Sequence, residues 1–219
     1  LAEHLQTVSL VLSDQSLGQS QAIIEASEEV DLPLKRSVTD NPGEDYRRYQ
    51  IVAENISPMS LPGTPDGMYT ADGLEHNDRG TPSSMASDHR EQLNKRLQKL
   101  KQFDYGEYWA EVSGEGDTCL ITWGSSTGAV KEAADQLNQS GNQVRVIALR
   151  LLAPLQRDKI LQLLDGATKV LVVEQNHGGQ LFHYLQSESV LPLTAQSLAQ
   201  PGPLPIRPGR IMRAYHALD

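Results

Sequence analysis

From residue 115 onward the chain keeps one rhythm, and that rhythm limits the fold more than anything else in it. Thr-Cys-Leu-Ile-Thr-Trp (118–123), Val-Arg-Val-Ile-Ala-Leu (144–149) and Lys-Val-Leu-Val-Val-Glu (169–174) are short, β-branched and nearly continuous in apolar character. Such runs suit strands covered on both faces, because a strand with one wet face alternates instead. Between them Val130, Ala133, Ala134 and Leu137 fall on one helix face, as do Ile160, Leu163 and Leu164 after Pro154; Leu181, Tyr184 and Leu185 mark a third helix. Gly141 stands where a left-handed residue would end the first of these helices. A weaker strand follows at 193–198. Strands joined by single helices through short connections lie parallel, and right-handed crossovers lay helices on both faces. The expectation is an α/β fold: a three-layer αβα domain with a mainly parallel sheet.

The rest of the chain does not share this order. Residues 1–6 read as the end of a helix, 8–12 as a strand, and Leu17, Ile23, Ile24 and Ala26 as the apolar positions of a further helix. That αβα fragment is too small to bury its own faces, so its sheet must lie elsewhere. Residues 31–90 carry six prolines and almost no periodicity, with one strand-like run at 49–52. A connection this long inside a compact domain is functional or draped over a partner. Residues 88–103 read as a charged helix whose narrow stripe, Leu93, Leu97 and Leu100, docks on one seam. At the far end, 201–208 holds four prolines and reads as an extended strap before a short helix from Gly209.

Composition removes whole classes of function. A net charge of −9, with no basic run, disfavours nucleic acid and anionic membrane surfaces as partners. One cysteine, Cys119, excludes a disulfide framework, a cysteine zinc site or an iron–sulfur cluster built within this chain, and suits a reducing, cytoplasmic setting. No apolar stretch is long enough to span a membrane.

Three polar clusters are candidate sites. Glu174, Asn176, His177, Gly179 and Gln180 follow the last buried strand, at the strand ends where open α/β sheets meet ligands and partners. A Glu and a His so close in sequence diverge in direction and make no catalytic pair without a third group. Loop bracing or an interface is therefore the reading for Glu174, Asn176, Gly179 and Gln180. Gly124-Ser125-Ser126-Thr127 could hold an anion at a helix start, but it lacks the glycine spacing of a nucleotide loop and reads as helix capping. Gly73-Leu74-Glu75-His76-Asn77-Asp78-Arg79-Gly80 is the densest cluster, with His89 beyond it. It lines a substrate pocket through Glu75, His76 and Arg79, or it is a solvated turn. The spacing of its two histidines matches no tight metal site. From the residues alone the chain holds no complete set of catalytic groups, and no metal site.

The motifs nevertheless recur in a known order. Gly124 to Thr127, Ala133 to Leu137, the stretch 141–155 (Gly-x-x-Val-x-Val-Ile-x-Leu-Arg-x-Leu-x-Pro-Leu) and Val172 to Gln180 together resemble the C-terminal, transketolase-like domain of thiamine-diphosphate enzymes. Within that group they are similar to the alpha subunit of 2-oxoacid:ferredoxin oxidoreductases. Tyr49, Ile56-Ser57-Pro58, Leu61-Pro62-Gly63-Thr64-Pro65 and Gly73-Leu74-Glu75-His76 resemble the 2-oxoglutarate type, and Val11-Leu12-Ser13-Asp14-Gln15 looks like the last strand of its pyrimidine-binding domain.

The resemblance implies three parts: 1–30 as the tail of a pyrimidine-binding domain, 31–110 as an extended linker and docking helix, and 111–219 as the transketolase C-terminal-like domain. It also implies coenzyme-A-dependent oxidative decarboxylation of a 2-oxoacid, with electrons passed to ferredoxin. Thiamine diphosphate, magnesium and an iron–sulfur cluster would serve the whole complex, none of them bound by this piece, which is expected to be inactive alone. The implied partners are the beta subunit, ferredoxin and a second alpha subunit. Two other readings share the fold: a non-catalytic interaction module, and the C-terminal domain of a transketolase or 2-oxoacid dehydrogenase. The 61–76 segment argues against the latter.

Overall fold

The computed structural model describes residues 1–21, 23–25 and 35–218. The chain divides into two units, one of residues 1–12 and 22–104, the other of 13–21 and 105–219. In chain order the elements are α1 (Ala2–Leu5), α2 (Gln15–Gln19), α3 (Ala86–Gln102), β1 (Ala110–Ser113), β2 (Thr118–Trp123), α4 (Thr127–Gln139), β3 (Val144–Leu149), α5 (Arg157–Leu164), β4 (Lys169–Glu174), α6 (Gln180–Ser187), β5 (Gln196–Ala199) and α7 (Pro208–His216).

In the second unit the strands form one sheet in the order β1-β3-β2-β4-β5. β2, β3, β4 and β5 run parallel, in the register Leu120 to Val146 and Leu171, and Val172 to Ser197. From β2 the chain crosses to β3 through α4; it then reverses, passing through α5 to β4 and through α6 to β5. Right-handed crossovers then require α4 on one face and α5 and α6 on the other. The core obeys this. Val130, Ala133, Ala134 and Leu137 of α4 pack with Ile211 and Tyr215 of α7 on Leu120, Val144, Val146, Leu171 and Val173. Ile160 and Leu164 of α5 and Leu181 and Leu185 of α6 pack on Cys119, Ile121, Ile147, Val170 and Val172. Alternate residues of each strand thus feed opposite cores, which is why both parities had to be apolar. This is the expected three-layer fold.

The sequence reading missed β1. It runs antiparallel to β3, pairing Ala110 with Leu149 and Ser113 with Val146. Four residues that include Glu111 and Ser113 carry too little apolar signal to announce a strand, since an edge strand buries little. The strand expected at 193–198 falls at Gln196–Ala199.

Residues 1–104 depart further from expectation. Residues 8–12 are not a strand: they are irregular backbone, with Val8, Leu10, Val11 and Leu12 between 65% and 93% exposed. A strand needs a neighbour to take its amides, and the described residues supply none. The helix placed over Leu17 to Ala26 is only α2, with Ile23 and Ile24 exposed beyond it; Ala26 lies outside the described residues. The run 49–52 also forms no strand, because the Tyr49 amide goes to the Asp78 carbonyl (2.9 Å) and the Tyr49 carbonyl to Gln92 Nε2 (3.1 Å). The predicted leucine seam of α3 is not its buried face. Gln92 and Lys95 are buried, while Leu93 and Leu97 are each nearly half exposed. The coil beneath α3 offers it carbonyls and hydroxyls, so its polar side chains turn inward.

Candidate functional site

In an open α/β sheet the crevice forms where successive connections leave to opposite faces, here between the carboxyl ends of β2 and β4. The ladder between these strands stops at Ile121 and Val172, and the Thr122 hydroxyl then donates to the Val173 carbonyl (2.9 Å). At the end of β4 the Glu174 side chain is wholly buried. One carboxylate oxygen accepts the Leu181 amide (2.8 Å) and Asn176 Nδ2 (2.5 Å); the other accepts the Phe182 amide (3.0 Å). A buried charge is tolerable on these terms, because three donors and the start of α6 face it. Asn176 Oδ1 accepts the amides of Gly179 (2.8 Å) and Gln180 (3.4 Å). Gly179 has φ +59°, and a Cβ there would come within 3.3 Å of Ser197 Oγ. The four strand-end candidates therefore make one cap on α6, while His177 stands exposed outside it.

On the β2 side the expected helix cap does not form. The Ser126 hydroxyl donates to the Trp123 carbonyl (2.7 Å), Ser125 bonds Asp14, and no side chain caps α4. A 3-10 turn over Gly124–Ser126 precedes the helix and takes the Thr127 amide back to the Gly124 carbonyl, so a side-chain cap has less to satisfy.

The loop candidates of the first unit share a turn but not a partner. Glu75 accepts from both terminal nitrogens of Arg96 (2.7 and 3.2 Å) and meets His89 Nδ1 at 3.0 Å; the Arg96 guanidinium holds its carboxyl down to about 2. His76 is 9% exposed and its ring stacks on Tyr49, centroids 3.8 Å apart. Arg79 is exposed and pairs with Asp45 at 2.7 Å. Asn77 Oδ1 shapes the turn by accepting the amides of Arg79 and Thr81 (3.0 and 3.1 Å). Gly80 closes it at φ +90°, where a Cβ would meet the Thr70 carbonyl at 2.8 Å. The neighbouring cavity of about 520 Å³ is lined by Arg47, Asn77, Asp78, Asp88 and Glu91 among others, and by none of Glu75, His76 and Arg79.

A second cluster in this unit escaped the sequence reading. Lys95 is 8% exposed, and among the described residues its ammonium meets the Ser57 hydroxyl alone. Lys99 donates to the Gln6 carbonyl (3.2 Å), and Arg48 donates to Gln6 Oε1 (2.6 Å) and the Ser57 carbonyl (3.0 Å). The signal was there in the Arg47-Arg48 pair and the i, i+4 lysines of α3, but such charges ordinarily face water.

Residues 107–195 match the family model for the transketolase C-terminal domain. The chain is 32% identical over 197 residues to subunit alpha of 2-oxoacid:ferredoxin oxidoreductase 2 from Aeropyrum pernix, covering 86% of this chain and 30% of that protein. It is 27% identical over 226 residues to the 2-oxoglutarate synthase subunit KorA of Methanothermobacter marburgensis, covering 100% of this chain and 57% of that subunit. A solved 2-oxoglutarate:ferredoxin oxidoreductase from Magnetococcus marinus, with 2-oxoglutarate, coenzyme A and succinyl-CoA bound, aligns at a TM-score of 0.74 and 32% identity, over 84% of this chain and 32% of that one.

The sheet-bearing unit thus has the transketolase C-terminal-like fold. The chain as a whole is homologous to alpha subunits of 2-oxoacid:ferredoxin oxidoreductases, as its motifs imply. It spans about a third of the length of the Aeropyrum and Magnetococcus proteins.

Proposed function

We propose that this chain is the C-terminal portion of the alpha subunit of a thiamine-diphosphate-dependent 2-oxoacid:ferredoxin oxidoreductase. Its substrate is 2-oxoglutarate, decarboxylated oxidatively with coenzyme A as acceptor and with electrons leaving to ferredoxin. The observation that carries this reading is the alignment at 32% identity and a TM-score of 0.74 with the Magnetococcus enzyme, a 2-oxoglutarate:ferredoxin oxidoreductase with 2-oxoglutarate bound. In the complex this piece serves subunit assembly and supplies a substrate-side loop with Glu75, His76 and Arg79, while the strand-end group from Glu174 to Gln180 braces an interface. Residues 1–30 close a pyrimidine-binding domain, 31–110 are linker and docking helix, and 111–219 the transketolase-like domain. Its partners are a beta subunit, ferredoxin and a second alpha subunit, in the cytoplasm; no described helix is long and apolar enough to cross a membrane.

The residues present do not fit the cofactors. The single cysteine, Cys119, is buried and burial raises its thiol pKa, against what a cluster ligand needs. The Glu174 carboxylate is already committed to the amides of α6. Thiamine diphosphate, magnesium and the iron–sulfur cluster are therefore held by the rest of the complex, and this chain's part is assembly and contact with substrate.

The test is an assay of the complex that contains this chain for coenzyme-A-dependent reduction of ferredoxin. Reduction with 2-oxoglutarate well above that with pyruvate is expected. Reduction driven better by another 2-oxoacid would correct the substrate, and none with any 2-oxoacid would overturn the reading.

A further inference from the structure

Arg48, Lys95 and Lys99 bring three positive charges together in the first unit, and none of them meets a carboxylate among the described residues. Their partners are neutral: the Ser57 hydroxyl and carbonyl, the Gln6 side chain and carbonyl, and the ring faces of Tyr49 and Tyr69, which lie 5.2 and 5.6 Å from the Arg48 guanidinium carbon. Arg48 Nε is buried and unpaired. Proteins rarely bury a charge without an opposite one, because the desolvation cost then stands uncompensated and like charges add to it. Lys95 feels both: burial first, then Arg48 and Lys99, pull its ammonium down to about 8.

Two of the three cations border open space, with Lys95 buried beside them. Arg48, Gln6 and Arg36 line a cavity of about 690 Å³, together with Met59, Thr7 and Glu3. Lys99 lines a second cavity of about 330 Å³, and Gln6 joins the two cations by accepting from Lys99 through its carbonyl and from Arg48 through its side chain. Glu3, the only carboxylate on the first wall, forms no ion pair among the described residues.

We propose that Arg48, Lys95 and Lys99 form a binding site for the oxyanion group, carboxylate or phosphate, of a small molecule that enters through the Arg48-lined cavity. The guanidinium has the donor geometry for two oxygens of either group, and the two ammonium groups supply charge behind it. The site stands on the packing of this unit alone and does not depend on the oxidoreductase reading.

The experiment is calorimetric titration of the full chain with inorganic phosphate and, separately, with succinate, in buffers matched for ionic strength with sodium chloride. Saturable binding of one probe is expected, and the tighter of the two identifies the group. Lys99→Gln, at a half-buried position, should fold and weaken that binding about tenfold or more, the loss of one charge-assisted hydrogen bond. Lys95→Met should melt higher than the wild-type chain without anion, and should lose the rise in melting temperature that the anion gives. Binding of neither probe beyond the chloride control overturns the proposal. So does binding that both variants retain at wild-type strength. Ferredoxin reduction by the complex is a separate readout, so either result here leaves the reaction assay to be judged on its own.

Discussion

One neighbour dominates the acid behaviour of Glu75. Arg96 holds the folded carboxyl at about 2 against an ordinary 4.5, so below 4.5 the unfolded chain binds the proton that the folded chain refuses. The pairing therefore stabilises fully above about 4.5 and is lost as pH falls toward about 2. Melting temperatures taken across that window should fall more steeply for the wild type than for Glu75→Gln; parallel curves would mean that the pair adds nothing. Glu174 presents the opposite case, a carboxylate engaged on every side and closed to solvent. Glu174→Ala leaves the Leu181 and Phe182 amides buried without acceptors, at a cost on the order of 3 kcal/mol. A denaturant midpoint shifted by that amount is expected. An unshifted midpoint with lost turnover would instead make Glu174 a chemical group.

Elements follow the same logic one level up. Val172 sits at the middle of β4 with no exposure, its side chain in the core shared with α5 and α6. Val172→Asp would bury a carboxylate with no donor, and several kcal/mol of desolvation exceeds what most domains can lose. The variant should lack a cooperative melt by circular dichroism; a soluble variant with a sharp transition would contradict the burial. The same burial explains what could be read from the sequence. β2, β3 and β4 were legible to the residue because both faces of each strand are covered, so apolar residues fall on both parities of each run. β1 was not, since an edge strand holding Glu111 leaves no such mark. The leucines of α3 misled for a related reason: periodicity shows which face is apolar, not which face finds a partner, and here the partner is polar coil that takes Gln92 and Lys95. At the strand end the residue types of the Glu174 cap were visible. Its hydrogen bonds depend on α6 starting at Gln180, which only the fold supplies.

At the scale of the molecule the two units are held by different forces. The second buries two apolar layers against its sheet; among the described residues of the first, Leu5 is the only large apolar side chain fully buried, and the rest of its buried side chains are polar or charged. A unit with so little apolar burial draws its order from hydrogen bonds and ion pairs, which suits a segment that works against a partner. Arg79 tests this most cleanly. His76 is buried against Tyr49, so removing it would confuse packing with function. Arg79, by contrast, is 47% exposed and has only its pair with Asp45 and its place in the turn to lose. A pair this exposed is screened by water and adds little to stability, so Arg79→Ala should leave the melting temperature of the complex nearly unchanged. If the loop faces a carboxylate-bearing substrate, the variant should raise KM or lower turnover about tenfold, the loss of one charge-assisted contact. Unchanged kinetics at unchanged stability would leave 73–80 as a solvated turn and remove the substrate-side role from this loop.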